Sequence, residues 1–155
     1  VRAPNVMRGY WHVGNPKELT GLQDAWFHSG DMGYLDAQAC LQIVGRNKDM
    51  IISGGENIYP AEIENALAAF PGVAECAVVG LPDDRWGEVP VLVLVRQANP
   101  EGVNLQADAV LSHLQGQIAR FKLPRRVLFM PQLPKSALGK VQKPLLQQQL
   151  QASIS

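Results

Sequence analysis

Charge of either sign is scarce in this 155-residue chain, and what there is cancels: 14 Lys and Arg offset 14 Asp and Glu, 18% of all residues. A protein that grips nucleic acid by releasing counterions needs a basic excess, and none exists. Only two cysteines occur, Cys40 and Cys76, without metal-ligand spacing, and His12, His28 and His113 are scattered. No metal site is expected, and reduced, buried thiols are the expected state, as in a cytoplasmic protein. No apolar run approaches the length of a membrane span, and no signal-peptide pattern is visible. Internal repeats are lacking. An initiator Met is lacking too: the chain opens at Val1-Arg2, within what reads as a strand.

What is present is ordinary globular sequence. Hydrophobic residues make up 46%, and this length accommodates one ordinary domain or a small domain plus a tail. Residues 1–11 are turn-rich, and 17–24 read as one polar helical turn or a loop. Residues 32–35 and 41–44 read as paired strands around a polar turn at 36–39. Such turns often demand positive φ, so Ala39 implies either a different turn or some strain.

A short strand at 50–53 turns at Gly54-Gly55, and Pro60 suits the first position of a helix. Ile63, Ala66, Leu67 and Phe70 form its apolar face, and Pro71-Gly72 is expected to end it. Residues 73–80 and 89–95 read as strands, with Pro90 at a strand start or an edge. Asn104 is expected to cap a second helix bearing Ala107, Leu111, Leu114, Ile118 and Phe121, closed by Pro124. A strand at 127–130, a loop at 131–139 and a helix from Pro144 carrying Leu146 and Leu150 complete the chain. The Gln-rich stretch 147–151 reads as that helix's solvent face. Strands interleaved with helices predict an α+β domain, a small sheet covered by helices.

Three segments carry chemistry. GRNKDMIISGGENIYPAEIE (45–64) joins an Arg, a Lys48-Asp49 pair, a Gly-Gly turn and a helix start. WFHSGD (26–31) precedes it, and LPKSALGK (133–140) follows near the C-terminus. By residue type alone, Lys140 is either a solvated surface lysine or a cation delivered by a flexible loop after Gly139. Asp31 either caps a turn or accepts hydrogen bonds from both hydroxyls of a ribose. Arg46 offers a planar fork to ribose or phosphate oxygens, or a salt bridge within the strand pair. Lys48-Asp49 is a polar turn, Gly54-Gly55 a tight hairpin turn, and Phe121 completes a helical stripe.

In this order the three segments resemble the adenylate-forming, AMP-binding enzyme family, which includes acyl-CoA synthetases, firefly luciferase and peptide-synthetase adenylation domains. The resemblance spans nearly the whole chain but describes only the last third of such an enzyme. The family's Ser/Thr/Gly-rich phosphate loop ending in Pro-Lys-Gly is absent. The resemblance implies a fragment. Residues 1–47 would be the closing strands of a large N-terminal domain, and 48–155 a small C-terminal domain.

It further implies an ATP-dependent acid–thiol ligase acting on a fatty or aromatic acid, through an acyl-adenylate and then a CoA thioester. Lys140 would be the catalytic lysine, Asp31 and Arg46 nucleotide-binding, and Lys48 the hinge. Gly54 and Gly55 would lie along the pantetheine of CoA, with Trp86, Phe121 and Arg125 at its nucleotide end and Lys122 adjacent. Where some aryl-CoA ligases have a further Arg, Leu123 stands here. Lys135 and Lys143 are weaker candidates that the motif does not select.

ATP with Mg2+, the latter bound mainly by the N-terminal domain, and coenzyme A are the expected cofactors. The expected partners are the acid substrate and that N-terminal domain. The isolated chain is expected to be inactive and to self-associate through unpaired strand edges. Other readings are an adenylation domain loading a carrier protein, a luciferase-like oxygenase, and a non-catalytic module. The version Ile51-Ile52-Ser53-Gly54-Gly55-Glu56-Asn57-Ile58 looks more like CoA ligases.

Overall fold

The computed structural model describes residues 1–154, which form two compact units, Val1–Ile43 and a second that runs from Val44. The first is all hairpins. Strand β1 (Tyr10–His12) pairs antiparallel with β2 (Asn15–Thr20), and β3 (Leu22–Gln23) pairs with β4 (Trp26–Phe27). Residues 17–20 and 22–23 are therefore strand, interrupted by a bend at Gly21, rather than the expected helical turn or loop. Cross-strand pairing overrides their local polarity, and Asp24 and Ala25, at φ 49° and 64°, close the tight β3–β4 turn. None of the described side chains in this unit is buried.

Strand β5 (Asp31–Leu35) pairs with β6 (Leu41–Arg46). Asp36 organises their turn. Its Oδ1 accepts from the Gln38 and Cys40 N–H groups at 3.0 and 2.8 Å, and its Oδ2 from Gln42 Nε2 at 2.9 Å. The Gln42 amide first, then the Cys40 N–H, holds this carboxyl below the usual carboxylate range. Ala39 takes φ 60°, the strained alternative of the two that the sequence allowed.

The second unit is built on a five-stranded sheet. Hairpin β7 (Ile51–Ser53) and β8 (Glu56–Ile58) turns at Gly54-Gly55. Strand β9 (Val73–Asp83) pairs antiparallel with β10 (Gly87–Arg96), and β11 (Arg126–Phe129) joins β10 in parallel. Pro90 lies inside β10 opposite Gly80, not at a strand start. Its carbonyl accepts from Arg125 N at 2.9 Å, so its nitrogen faces the same edge, just ahead of the first β11 pair at Val91. The missing donor thus costs the β9 ladder nothing.

Alternation along β9 and β10 sends successive side chains to opposite faces. Val78, Leu92 and Leu94 pack with Ile63 of helix α1 (Pro60–Ala66), with Leu67 just after it, and with Val110 and Leu114 of α3 (Ala107–Gln115). Ala77, Val79, Val91 and Val93 meet Leu146 and Leu150 of α4 (Lys143–Ile154). The sheet is covered by helices on both faces, the expected α+β architecture.

Helix boundaries differ from expectation in three places. Helix α1 ends at Ala66, with Leu67, Ala68 and Phe70 folded into successive tight turns. Asn104 caps no helix start. Asn99 does so instead, its Oδ1 accepting Gly102 N at 2.8 Å to open the one-turn helix α2 (Pro100–Val103), which Asn104 closes. Helix α3 stops at Gly116, so Phe121 leaves the apolar stripe and sits in a separate 3-10 turn (Arg120–Lys122), 50% exposed. Apolar spacing continued past Gly116, but the backbone turned there. Gln147 is likewise not a purely solvent-facing residue, because its Nε2 donates to Gly80 O at 2.9 Å.

Candidate functional site

Lys140 stands on a hydrogen-bonded hairpin within the segment that reads as a loop. Residues Lys135 and Val141 form an antiparallel bridge, and Gln142 N donates to Pro134 O at 2.8 Å. Inside that ring Ser136 N donates to Lys140 O at 2.8 Å, and Lys140 N donates to Ser136 Oγ at 3.3 Å. Gly139, at φ 78°, closes the turn by donating to Ser136 O at 2.9 Å. The backbone of Lys140 is therefore set in place, and only its side chain supplies reach.

The neighbouring lysines differ from it. Lys135 Nζ pairs with Glu75 Oε1 at 2.8 Å, and Lys143 Nζ pairs with Glu64 Oε1 at 2.8 Å. Lys140 has no ion-pair partner among the described residues. Of the ammonium groups of Lys135, Lys140 and Lys143, that of Lys140 alone is outside an ion pair among the described residues.

A second group forms around Trp86. The β9–β10 turn is fastened by Asp83, whose Oδ1 accepts from Arg85 N and Trp86 N, both at 3.0 Å. This holds the half-buried indole over the β7–β8 turn, where Gly54 N donates to Trp86 O at 2.9 Å. A Cβ on Gly54 would stand 2.5 Å from the indole, so only glycine allows this approach. The guanidinium carbons of Arg85 and Arg125 lie 5.0 and 5.2 Å from the Trp86 ring centroid.

Neither arginine has a carboxylate partner among the described residues. Two guanidiniums on one ring, neither in an ion pair, present planar donor groups that suit anionic oxygens. Arg125 also lines an open groove of about 590 Å3 with Arg120, Phe121, Leu123 and Pro124. Among the sequence candidates, Gly54, Trp86 and Arg125 are thus brought together, with Phe121 along the adjoining groove. Lys122, the neighbouring cation, is paired with Glu62, whose carboxylate accepts from its ammonium at 2.7 and 2.8 Å. Gly55, at φ 86°, faces open space: a Cβ there would have nothing within 4 Å.

The remaining candidates lie on other elements. Asp31 opens β5, exposed, with its N–H donating to Ser29 Oγ at 3.2 Å, and Arg46 closes β6, also exposed. Lys48 lies in a 3-10 turn (Asn47–Asp49) and lines a cavity of about 150 Å3 with Asp49, Glu88, Lys143 and Gln147.

Sequence reasoning missed Arg85, Ser136 and Glu64. Arg85 adjoins Trp86, and a Ser four residues before Lys140 fits a side-chain turn, so both had a local signal. Glu64 and Lys143 are 79 residues apart, and no spacing rule links them.

The family model of the AMP-binding enzyme C-terminal domain matches residues 62–140, just over half of the chain. The chain belongs to that family. Curated relatives agree with the membership. Indoleacetate–CoA ligase of Aromatoleum aromaticum is 54% identical over 143 residues, 92% of this chain and 27% of the relative. Feruloyl-CoA synthase of an Amycolatopsis species is 48% identical over 144 residues, 92% of this chain and 28% of the relative.

Among solved structures, o-succinylbenzoate CoA synthetase from Bacillus subtilis, in complex with its acyl-adenylate intermediate, superposes with a TM-score of 0.80. It is 36% identical over 94% of this chain and 29% of its own. This C-terminal domain chain therefore spans under a third of the length of the relatives it matches. No helix among the described residues is long and apolar enough to cross a membrane.

Proposed function

We propose that the chain is the C-terminal part of an ATP-dependent acid–thiol ligase that makes an acyl-adenylate and then a CoA thioester. The observation that carries this reading is Lys140: an unpaired ammonium on a hydrogen-bonded hairpin, between two lysines already engaged in ion pairs. In the first step a carboxylate oxygen attacks the α-phosphorus of ATP and pyrophosphate leaves. Two anions converge, so a preplaced cation lowers the barrier most where their charges meet. In the second step the CoA sulfur attacks the acyl carbonyl and AMP leaves.

The Trp86 group supports coenzyme A as acceptor. The arginines at 85 and 125 offer unpaired guanidiniums to nucleotide phosphates, with the exposed ring of Phe121 in the groove that Arg125 lines as a stacking surface. A carrier-bound pantetheine arm has no nucleotide to occupy such a groove, which favours the free cofactor over a carrier protein. Gly54 and Gly55 would border the pantetheine, Asp31 and Arg46 the adenylate, and Lys48 would be the pivot between a body containing residues 1–47 and the domain 48–155.

The exposed Tyr10, Trp11, Tyr34, Leu35, Leu41 and Ile43 of the hairpin unit would be covered by the N-terminal domain of the same cytoplasmic enzyme. No group of three or more His, Cys, Asp or Glu able to hold a metal occurs among the described residues.

The test is Lys140→Ala in the enzyme that carries this chain, read by two single-turnover assays. Adenylation from acid plus ATP should slow by at least ~10²-fold, the scale for one lost preorganised contact. Thioester formation from supplied acyl-adenylate plus CoA should stay within a few-fold. Equal loss in both steps, or selective loss in Lys135→Ala instead, would overturn the assignment.

A further inference from the structure

Lysine at the start of a helix is a poor electrostatic choice, because the helix N-terminus already carries partial positive charge. Lys143 nevertheless opens α4, directly after the hairpin that presents Lys140. Its ammonium reaches across to Glu64 on α1, and both side chains are about three-quarters withdrawn from solvent, at 21% and 23% exposure. The same Glu64 Oε1 accepts the Val78 N–H of β9 at 2.8 Å, so one carboxylate ties α4 to α1 and to the central sheet. The pair at the other end, Lys135–Glu75, is more open, at 39% and 38% exposure, and has no such third partner.

Resting on the reading of Lys140 above, we propose that Glu64 and Lys143 are positioning residues for catalysis of adenylation, fixing where the hairpin presents the Lys140 ammonium. A strut at the hairpin's C-terminal root controls its tilt, and the long Lys140 side chain amplifies any tilt into displacement of the charge. The pair lies on the second unit alone, so it moves with the hairpin whenever that unit rotates. Its contribution is therefore confined to the step in which Lys140 faces the substrate.

The experiment uses the enzyme carrying this chain, with Lys143→Met, Lys143→Arg, Glu64→Gln and Lys135→Met. Glu64→Gln retains an acceptor for Val78 N and removes only the charge, so it remains informative if Lys143→Met folds poorly. Adenylation should slow about 10- to 100-fold in Lys143→Met and Glu64→Gln, the range for a misplaced catalytic group. Thioester formation from supplied acyl-adenylate should hold within about twofold in all four variants. Lys143→Arg should recover most of the adenylation rate, and Lys135→Met should match wild type, as expected for an exposed pair.

Amide exchange at Ser136, Gly139 and Gln142, the donors that close the hairpin, should quicken in Lys143→Met and Glu64→Gln but not in Lys135→Met. Equal loss of both half-reactions, unchanged exchange at those amides, or failure of Lys143→Arg to rescue overturns the proposal. Lys140→Ala separates the two readings. If it spares adenylation, the reading of Lys140 fails. If it abolishes adenylation selectively while Lys143→Met and Glu64→Gln do not, only the positioning role fails.

Discussion

Gly54 lies against Trp86 so closely that a Cβ would meet the indole Cε3 at 2.5 Å, and its φ of +60° independently disfavours any side chain. Gly55, next in the same turn at φ +86°, has open space where its Cβ would be. The two glycines are adjacent in sequence but constrained by different physics.

Gly54→Ala should therefore cost about 1–3 kcal/mol, combining left-handed strain with a displaced indole. The displaced ring no longer holds Arg85 and Arg125, so the KM for CoA should rise while adenylation is unchanged. Gly55→Ala should pay only the backbone strain, about 1–2 kcal/mol. Urea denaturation and a CoA titration of both variants check this. Equal destabilisation with equal CoA affinity would show that the Gly54–Trp86 approach has no role in CoA binding.

Ala39 offers the opposite case, a non-glycine residue in a left-handed conformation at φ 60°. Ala39→Gly relieves strain of about 1–2 kcal/mol and returns about 0.5–1 kcal/mol in unfolded-chain entropy, leaving a small net gain. The Asp36 and Ala39 amides, which close this turn, should exchange about 2- to 5-fold more slowly in the variant, matching that net gain. Faster exchange would mean that the turn depends on the alanine.

Cys76 connects to the Glu64–Lys143 pair through its own titration. Burial first, and then the Glu64 charge, push its thiol up to about 11, with Lys143 opposing. At pH 8 only about a thousandth of it would be thiolate, so iodoacetamide should modify the exposed Cys40 well before Cys76. The raised value means the folded state keeps a proton that the unfolded state gives up. Stability tied to this thiol is thus fully present below its ordinary value of 9.0 and declines as pH rises towards about 11. Denaturation at pH 8 and pH 10.5, with Cys76→Ala as reference, measures the decline. A wild-type loss no larger than that of the variant would contradict it.

Much of this protein was legible without coordinates because it rests on local rules. Pro60 at the first turn of α1, the largely apolar strands β9 and β10, and Leu146 and Leu150 on α4 are all set by short-range pattern and stereochemistry. Family membership was legible as well, since its motifs are contiguous runs. Local rules failed where the backbone turned despite an unbroken pattern. Apolar spacing carried through Gly116 to Phe121, and only folding shows that Phe121 lies outside α3, exposed beside Arg125.

Long-range pairing was decided by tertiary structure alone. Nothing in the spacing of Lys135, Lys140 and Lys143 says which ammonium is engaged. Glu75 and Glu64 settle that from 60 and 79 residues away, because β9 and α1 bring their carboxylates to either end of one hairpin. Sequence proximity fixes what a residue can do with its neighbours in the chain. Which charge remains unpaired depends on every other charge that the fold brings within reach.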